Sequence, residues 1–241
     1  MANEHYKALS DLRLRVRDQL DESSASFWTD AQLNRYINRA KDRVWNRLKA
    51  ANEYYCTVTR TSNDGALTIQ GESYTASAFR IVAGTSDYVL PPDLDTLSII
   101  ECITSGYEDL TFTRIDINDP EFRAARSLTD NQTPGGEIFF DIINEPPSMR
   151  IVPKLSTTLD LRITYVATLA DLSSDTDRLT LPNPLYLAVC DYATMFALRQ
   201  DRSPDAGTYE SSGDKIIAEK FGADFRQTQD VQVARGFLEG W

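Results

Sequence analysis

Leu9, Leu12, Val16 and Leu20 recur at spacings of three and four, with Arg13, Arg15 and Arg17 between them. That period predicts an amphipathic helix over residues 6–22. SSAS breaks the pattern, and a second helical signal starts at Thr29. Gln32 stands three residues further on and can close a capping box with it. Asp30 in the first turn complements the positive end of the helix. Leu33, Tyr36, Ile37, Ala40, Val44 and Leu48 then form an apolar stripe to about residue 51. Arg35, Arg39, Arg43 and Trp45 lie beside or off that stripe.

After Tyr54 the pattern changes to short β-branched or aromatic runs. They read YCTVTRT, ALTIQ, AFRIVA, DYVLP, TLSIIECIT, LTFTRI, EIFFDII, MRIVPK and LDLRITYVA. Turn residues such as Asn63-Asp64-Gly65, Pro91-Pro92, Gly135-Gly136 and Pro146-Pro147 separate them, which predicts strands. The spacing suggests an antiparallel sandwich or partly open barrel. Pro120 and the segment FRAARSLTDNQ interrupt it as a short helix or an ordered loop.

Helical periodicity returns at Asn183, a candidate N-cap with Pro184 at the first helical position. Leu185, Ala188, Val189, Tyr192, Met195 and Phe196 make one apolar face. RQDRSPDAG ends that helix. A last one is expected over 208–228, with Ile217, Phe221 and Phe225 four apart and weakened by Gly213 and Gly222. VQVARGFLEGW follows as a tail.

The expected fold is therefore α+β. N- and C-terminal helices form one bundle, and a β module is inserted between them. The expected boundaries are 1–54 and 171–230 for the helical parts, 55–170 for the β domain and 231–241 for the tail.

Charge sharpens this picture. The 241 residues carry a net charge of −11. Residues 1–54 hold 10 Lys and Arg against 8 Asp and Glu, leaving 15 against 28 in the rest. An acidic body lacks the basic stripe of a nucleic-acid reader and repels phosphate. Cys56, Cys102 and Cys190 form no C-x-x-C pair, so they read as buried free thiols. The start MANEHYKALS lacks the apolar region of a secretion signal, and no run of about 18 apolar residues exists to span a membrane.

Catalytic chemistry finds little footing, and the chain is expected not to be an enzyme. His5 is the single histidine, which excludes a His-based triad. No GxGxxG, GxxxxGK[ST] or GxSxG sequence occurs. Asp171, Asp175 and Asp177 sit in DLSSDTD, without the glycine and closing glutamate of a calcium loop. No metal or other cofactor is expected, and no carboxylate pair stands out as a hydrolytic couple.

The candidate site residues are instead contact residues. Arg13, Arg15 and Arg17 read as a solvated face or as partners of an acidic neighbouring subunit. Arg35, Arg39, Arg43 and Trp45 form a second candidate subunit interface. Trp28 and Trp45 read as core, or as interface where they leave the stripe. Phe237, Leu238 and Trp241 either fold back or anchor into another protein, as interface aromatics do.

The order of several short patterns resembles the head-to-tail adaptor (connector) proteins of tailed bacteriophages, in their longer form with an inserted β domain. The opening helix supplies Trp28, Thr29, Asp30, Leu33, Ile37, Asn38 and Ala40. A strand end supplies Tyr88, Leu90, Pro91 and Asp93, and a later strand Pro153, Leu159, Leu161 and Tyr165. The start of the C-terminal helix supplies Leu181, Pro182, Leu187 (one place early), Tyr192 and Ala193. The resemblance implies a structural virion protein that forms a ring, commonly a dodecamer, beneath the portal. It would extend the DNA channel and provide the platform for tail attachment. Implied partners are the portal protein, nozzle or tail-tube proteins and other copies of the chain. DNA would pass through the lumen without sequence-specific binding, and no membrane is involved. Assembly would take place in the host cytoplasm. By analogy Phe237, Leu238 and Trp241 would reach the portal. The alternative from the residues alone is a carbohydrate-binding β-sandwich on a helical stalk, with exposed aromatics such as Tyr74 or Tyr107 as its contacts.

Overall fold

A computed structural model describes residues 7–22, 27–62, 64, 67–69, 72–74, 79–128, 136–143, 148–181 and 184–221. The chain divides into two units, Met1–Tyr55 with Asp171–Trp241, and Cys56–Ala170. The first unit opens with β1 (Lys7–Ala8), α1 (Leu9–Gln19) and α2 (Asp30–Ala51). The second holds β2 (Thr57–Thr61), β3 (Leu67–Ile69), β4 (Glu72–Tyr74), β5 (Arg80–Ile81), β6 (Asp87–Val89), β7 (Leu94–Cys102) and β8 (Thr111–Arg114). It continues with α3 (Pro120–Arg126), β9 (Glu137–Ile143), β10 (Ser148–Val152) and β11 (Leu159–Ala167). The chain then returns to the first unit with β12 (Arg178–Leu179), α4 (Leu185–Gln200) and α5 (206–221).

In the helical unit, α2 starts as its sequence dictates. The Gln32 amide donates to Thr29 Oγ1 at 3.3 Å, and the Thr29 amide donates to Gln32 Oε1 at 2.9 Å. Two orphan donors of the first turn are thereby satisfied. Leu33, Ile37, Ala40, Val44 and Leu48 are all buried, at roughly 1.5–3 kcal/mol for each large aliphatic side chain. Their stripe lies on α4, which also receives α1. The periodicity of α4 suggested one apolar face, but every residue from Ala188 to Ala197 is buried. A helix enclosed on several sides has no solvent face to keep polar. It starts at Leu185 with Pro184 in the capping position, while the expected cap, Asn183, lies outside the described residues. The first helix is shorter than expected, because Lys7 and Ala8 pair with Leu179 and Arg178 instead.

In the β unit, β11 is the central strand of one sheet. β2 and β7 both pair antiparallel with its residues 162–166 and so lie on opposite sides of it. A second sheet runs in the order β6-β10-β9-β8. One apolar cluster draws on both sheets, including Ile138, Phe140, Ile151, Leu161, Ile163 and Tyr165. Alternation along β9 explains a second, smaller cluster. Ile138 and Phe140 face the main core, while Phe139 on the other face packs with Phe122 and Ala125 of α3.

One expectation is corrected here. The β region is not purely antiparallel, because β8 and β9 pair in parallel. A parallel pair requires a crossover connection, and the interrupting segment supplies one that includes α3. No sheet closes into a barrel among the described residues.

Candidate assembly surface

The arginines singled out in the sequence divide into two groups. The first forms around the turn into α2. Arg17 is only 7% exposed. It donates to Glu22 Oε2 at 2.9 Å, to the Trp28 carbonyl at 2.9 Å and to Asp30 Oδ1 at 2.7 Å. Glu22 Oε1 in turn accepts the amides of Phe27 and Trp28 at 2.5 and 3.0 Å. Arg13 donates to Asp175 at 2.7 Å and lies 3.7 Å from Asp30. The hydrogen bond from Arg17, with the nearby charge of Arg13, holds the Asp30 carboxyl below its ordinary value. Arg17 is thus an internal tie and not part of a solvated face.

The second group runs along α2, where Arg35, Arg39, Arg43 and Arg47 follow at four-residue intervals. The Arg39 guanidinium lies 4.3 Å from the centroid of the Phe196 ring, and that of Arg43 lies 4.4 Å from Tyr192. Such stacking suits arginine, whose planar cation is weakly hydrated. Arg43 also donates to Glu210 at 2.6 Å, and Arg47 pairs with Asp214. The Tyr192 hydroxyl donates to the same Asp214. Burial pushes the Tyr192 phenol well above its usual range, so it remains a donor. α2, α4 and α5 are therefore clasped by a ladder of arginine, aromatic ring and carboxylate. Arg35 projects outward and is exposed, and Trp45 is half-buried. Arg15 is exposed and shares the Tyr186 ring with Lys7, at 6.0 and 5.6 Å.

Sequence reasoning missed Arg47, Glu210 and Asp214. The signal was present as matching periodicity, arginines at 39, 43 and 47 and acids at 210 and 214. It also missed Lys41, which is 1% exposed and pairs with Asp171 at 2.9 Å and Asp42 at 3.3 Å. The three aspartates of DLSSDTD diverge. Asp171 meets Lys41, Asp175 meets Arg13, and Asp177 accepts the amides of Ser173 and Ser174. Among the described residues no cluster of His, Cys, Asp or Glu could hold a metal, and no helix is long and apolar enough to cross a membrane.

The residues of the degenerate patterns also tie elements together within each unit. The Tyr165 hydroxyl donates to Asp93 Oδ1 at 3.0 Å, and the Thr168 amide donates to the Asp93 carbonyl at 2.6 Å. Burial raises the Asp93 carboxyl and lifts the Tyr165 phenol to about 12. Asn38 of α2 clamps the backbone of Leu172 by two hydrogen bonds, of 2.9 and 2.8 Å. Tyr107 packs against the β core. His5, Phe237, Leu238 and Trp241 lie outside the described residues, and so does the Tyr74 side chain.

Side chains that fasten helix to helix and strand to turn, with no metal cluster among the described residues, mark the chain as an α+β scaffold. The family model described as SU10 adaptor protein matches residues 7–236, and the chain belongs to that family. It is accordingly a bacteriophage adaptor, a structural component of the virion. Comparison with curated proteins finds no match.

Proposed function

We propose that the chain closes into a ring between the portal and the tail, lengthening the DNA channel and giving the tail its platform. Family membership across residues 7–236 carries this reading, since an adaptor joins portal to tail. The charge distribution supports it. Residues 56–170 hold 8 Lys and Arg against 16 Asp and Glu, and an acidic body repels phosphate and so does not grip DNA. Subunits in a ring meet through two unlike surfaces related by rotation. Arg35 and Arg39, exposed on α2, and Arg15, exposed on α1, are the members of the arginine set best placed for such contacts. Arg13, Arg43 and Trp45, half-buried, contribute their outer edges. At the far end Phe237, Leu238 and Trp241 anchor on the portal.

Electron micrographs of the purified protein, alone and mixed with its portal, test this reading. Ring-shaped particles are expected, at the latest when portal is added. A protein that stays monomeric and never binds portal overturns it.

A further inference from the structure

Arg39, Arg43 and Arg47 are successive rungs of one ladder on α2, and the carboxylates run out before the arginines do. Arg43 stacks on Tyr192 and pairs with Glu210, and Arg47 pairs with Asp214 one turn further along α5. Arg39 repeats the stacking, on Phe196 at 4.3 Å. The same register places its rung at the buried Ala206, where α5 begins. Arg39 therefore has the ring without the acid. A guanidinium laid on a ring keeps its N–H donors along its rim, open to a carboxylate in the same plane. Arg35, one turn earlier, has neither ring nor acid among the described residues, and both arginines are exposed. The adjoining turn holds Asp201 and Asp205, both exposed and neither at ion-pair distance from these arginines.

We infer that Arg35 and Arg39 take carboxylates from the α1 edge of a second copy of the chain, chiefly Asp18 on Arg39. The inference rests on the ring reading, which supplies that copy and requires two unlike surfaces on each subunit. α2 separates two such surfaces. α1 reaches it at Asp30 and Asn34, and α5 reaches it at Arg43 and Arg47. Arg43 follows Asn34 by nine residues, about two and a half turns, so α1 and the ladder lie on opposite sides of α2. The exposed face of α1 is Asp11, Leu14, Arg15 and Asp18. Asp18, and Asp21 just beyond the helix, are exposed and meet no cation among the described residues. Opposite charges left over on opposite sides of one helix suit a head-to-tail contact, and they set its register. Arg15, the one cation of that face, is matched across the contact by Asp201 and Asp205.

The test counts rings formed by the full-length chain on purified portal in electron micrographs. Arg39→Glu and Asp18→Arg should each cut the yield of rings about tenfold, because like charges then meet. Arg35→Glu should do the same. Its side chain meets no ring or carboxylate among the described residues, which guards against Arg39→Glu merely loosening α2 from α4. An equal mixture of Arg39→Glu copies and Asp18→Arg copies should recover rings, since alternating copies bring only opposite charges together. The double variant should recover them as well, whatever the number of copies in the ring. Yields indifferent to the single reversals, or recovery in neither the mixture nor the double variant, overturn the inference. Rings formed by the unmodified chain would in that case leave the ring reading intact. An unmodified chain that forms no ring and never binds portal removes the ring reading, and this inference with it.

Discussion

Arg17 shows how far a single side chain departs from what its neighbours in sequence suggest. It alternates with Arg13 and Arg15 along α1, and a charge between apolar positions reads as solvent-facing. Its partners are Glu22, Trp28 and Asp30, however, and these converge on it only once the chain has turned into α2. Arg17→Met should lower stability at neutral pH by about 3 kcal/mol, because it leaves the nearly buried Glu22 without its cation. Asp30 adds a pH signature. Its folded-state value lies below its ordinary 3.8, first through the Arg17 hydrogen bond. The stabilisation is present above that ordinary value and is lost as pH falls through the depressed one. Urea midpoints measured from pH 7 down to pH 3 should show a shallower acid-side decline in Arg17→Met than in the unmodified protein. Equal slopes would mean that the pair is not coupled to folding.

At the scale of the element, α2 was legible because its start, stripe and polar edge all obey local rules. The nine β runs were legible for a similar reason, each bounded by turn residues, and each contains a strand. Pairing was not. The parallel register of β8 with β9 joins residues more than twenty apart, and no local pattern encodes it. The two-residue pairing of β1 with β12 is too short to leave a pattern at all. The contacts of the arginine edge were hidden likewise, since Arg43 and Glu210 are 167 residues apart. α5 carries an instructive pair of glycines. A Cβ at Gly213 would lie 3.1 Å from the Tyr192 ring, which is fully buried and held by Arg43 and Asp214. One at Gly207 would meet nothing within 4 Å. Gly207→Ala should therefore stabilise by up to about 1 kcal/mol through helix propensity. Gly213→Ala should destabilise by about 1–2 kcal/mol, because overpacking a fixed ring outweighs the same gain. Thermal unfolding of the two variants side by side checks the opposite signs.

For the whole molecule, composition foretold much of the function and little of the site. Acidity and the absence of a catalytic motif pointed away from nucleic-acid reading and enzymatic work, and family membership agrees with a structural role. The degenerate patterns that carried the resemblance prove to be ties within the chain, such as Asn38 on Leu172 and Tyr165 on Asp93. The residues left over from those ties obey no motif, which is why sequence could nominate contact candidates only by surplus. The tail is the clearest case. Deleting residues 231–241 should leave a soluble protein with an unchanged melting temperature and impaired binding to portal. Measuring both separates docking from folding, because loss of the melting transition would assign the tail to the internal core.

The division of the helical unit between Met1–Tyr55 and Asp171–Trp241 also has a consequence for the order of synthesis. α1 and α2 leave the ribosome early, but the helix that buries their apolar stripe follows only after the whole β unit has been made. Until then Leu33, Ile37, Val44 and Leu48 have no α4 to pack on. The β unit, complete at Ala170, can fold while the helices wait, and in doing so it shortens the loop that separates the two halves of the helical unit. Its compactness is thus a condition for the late helices to find the early ones.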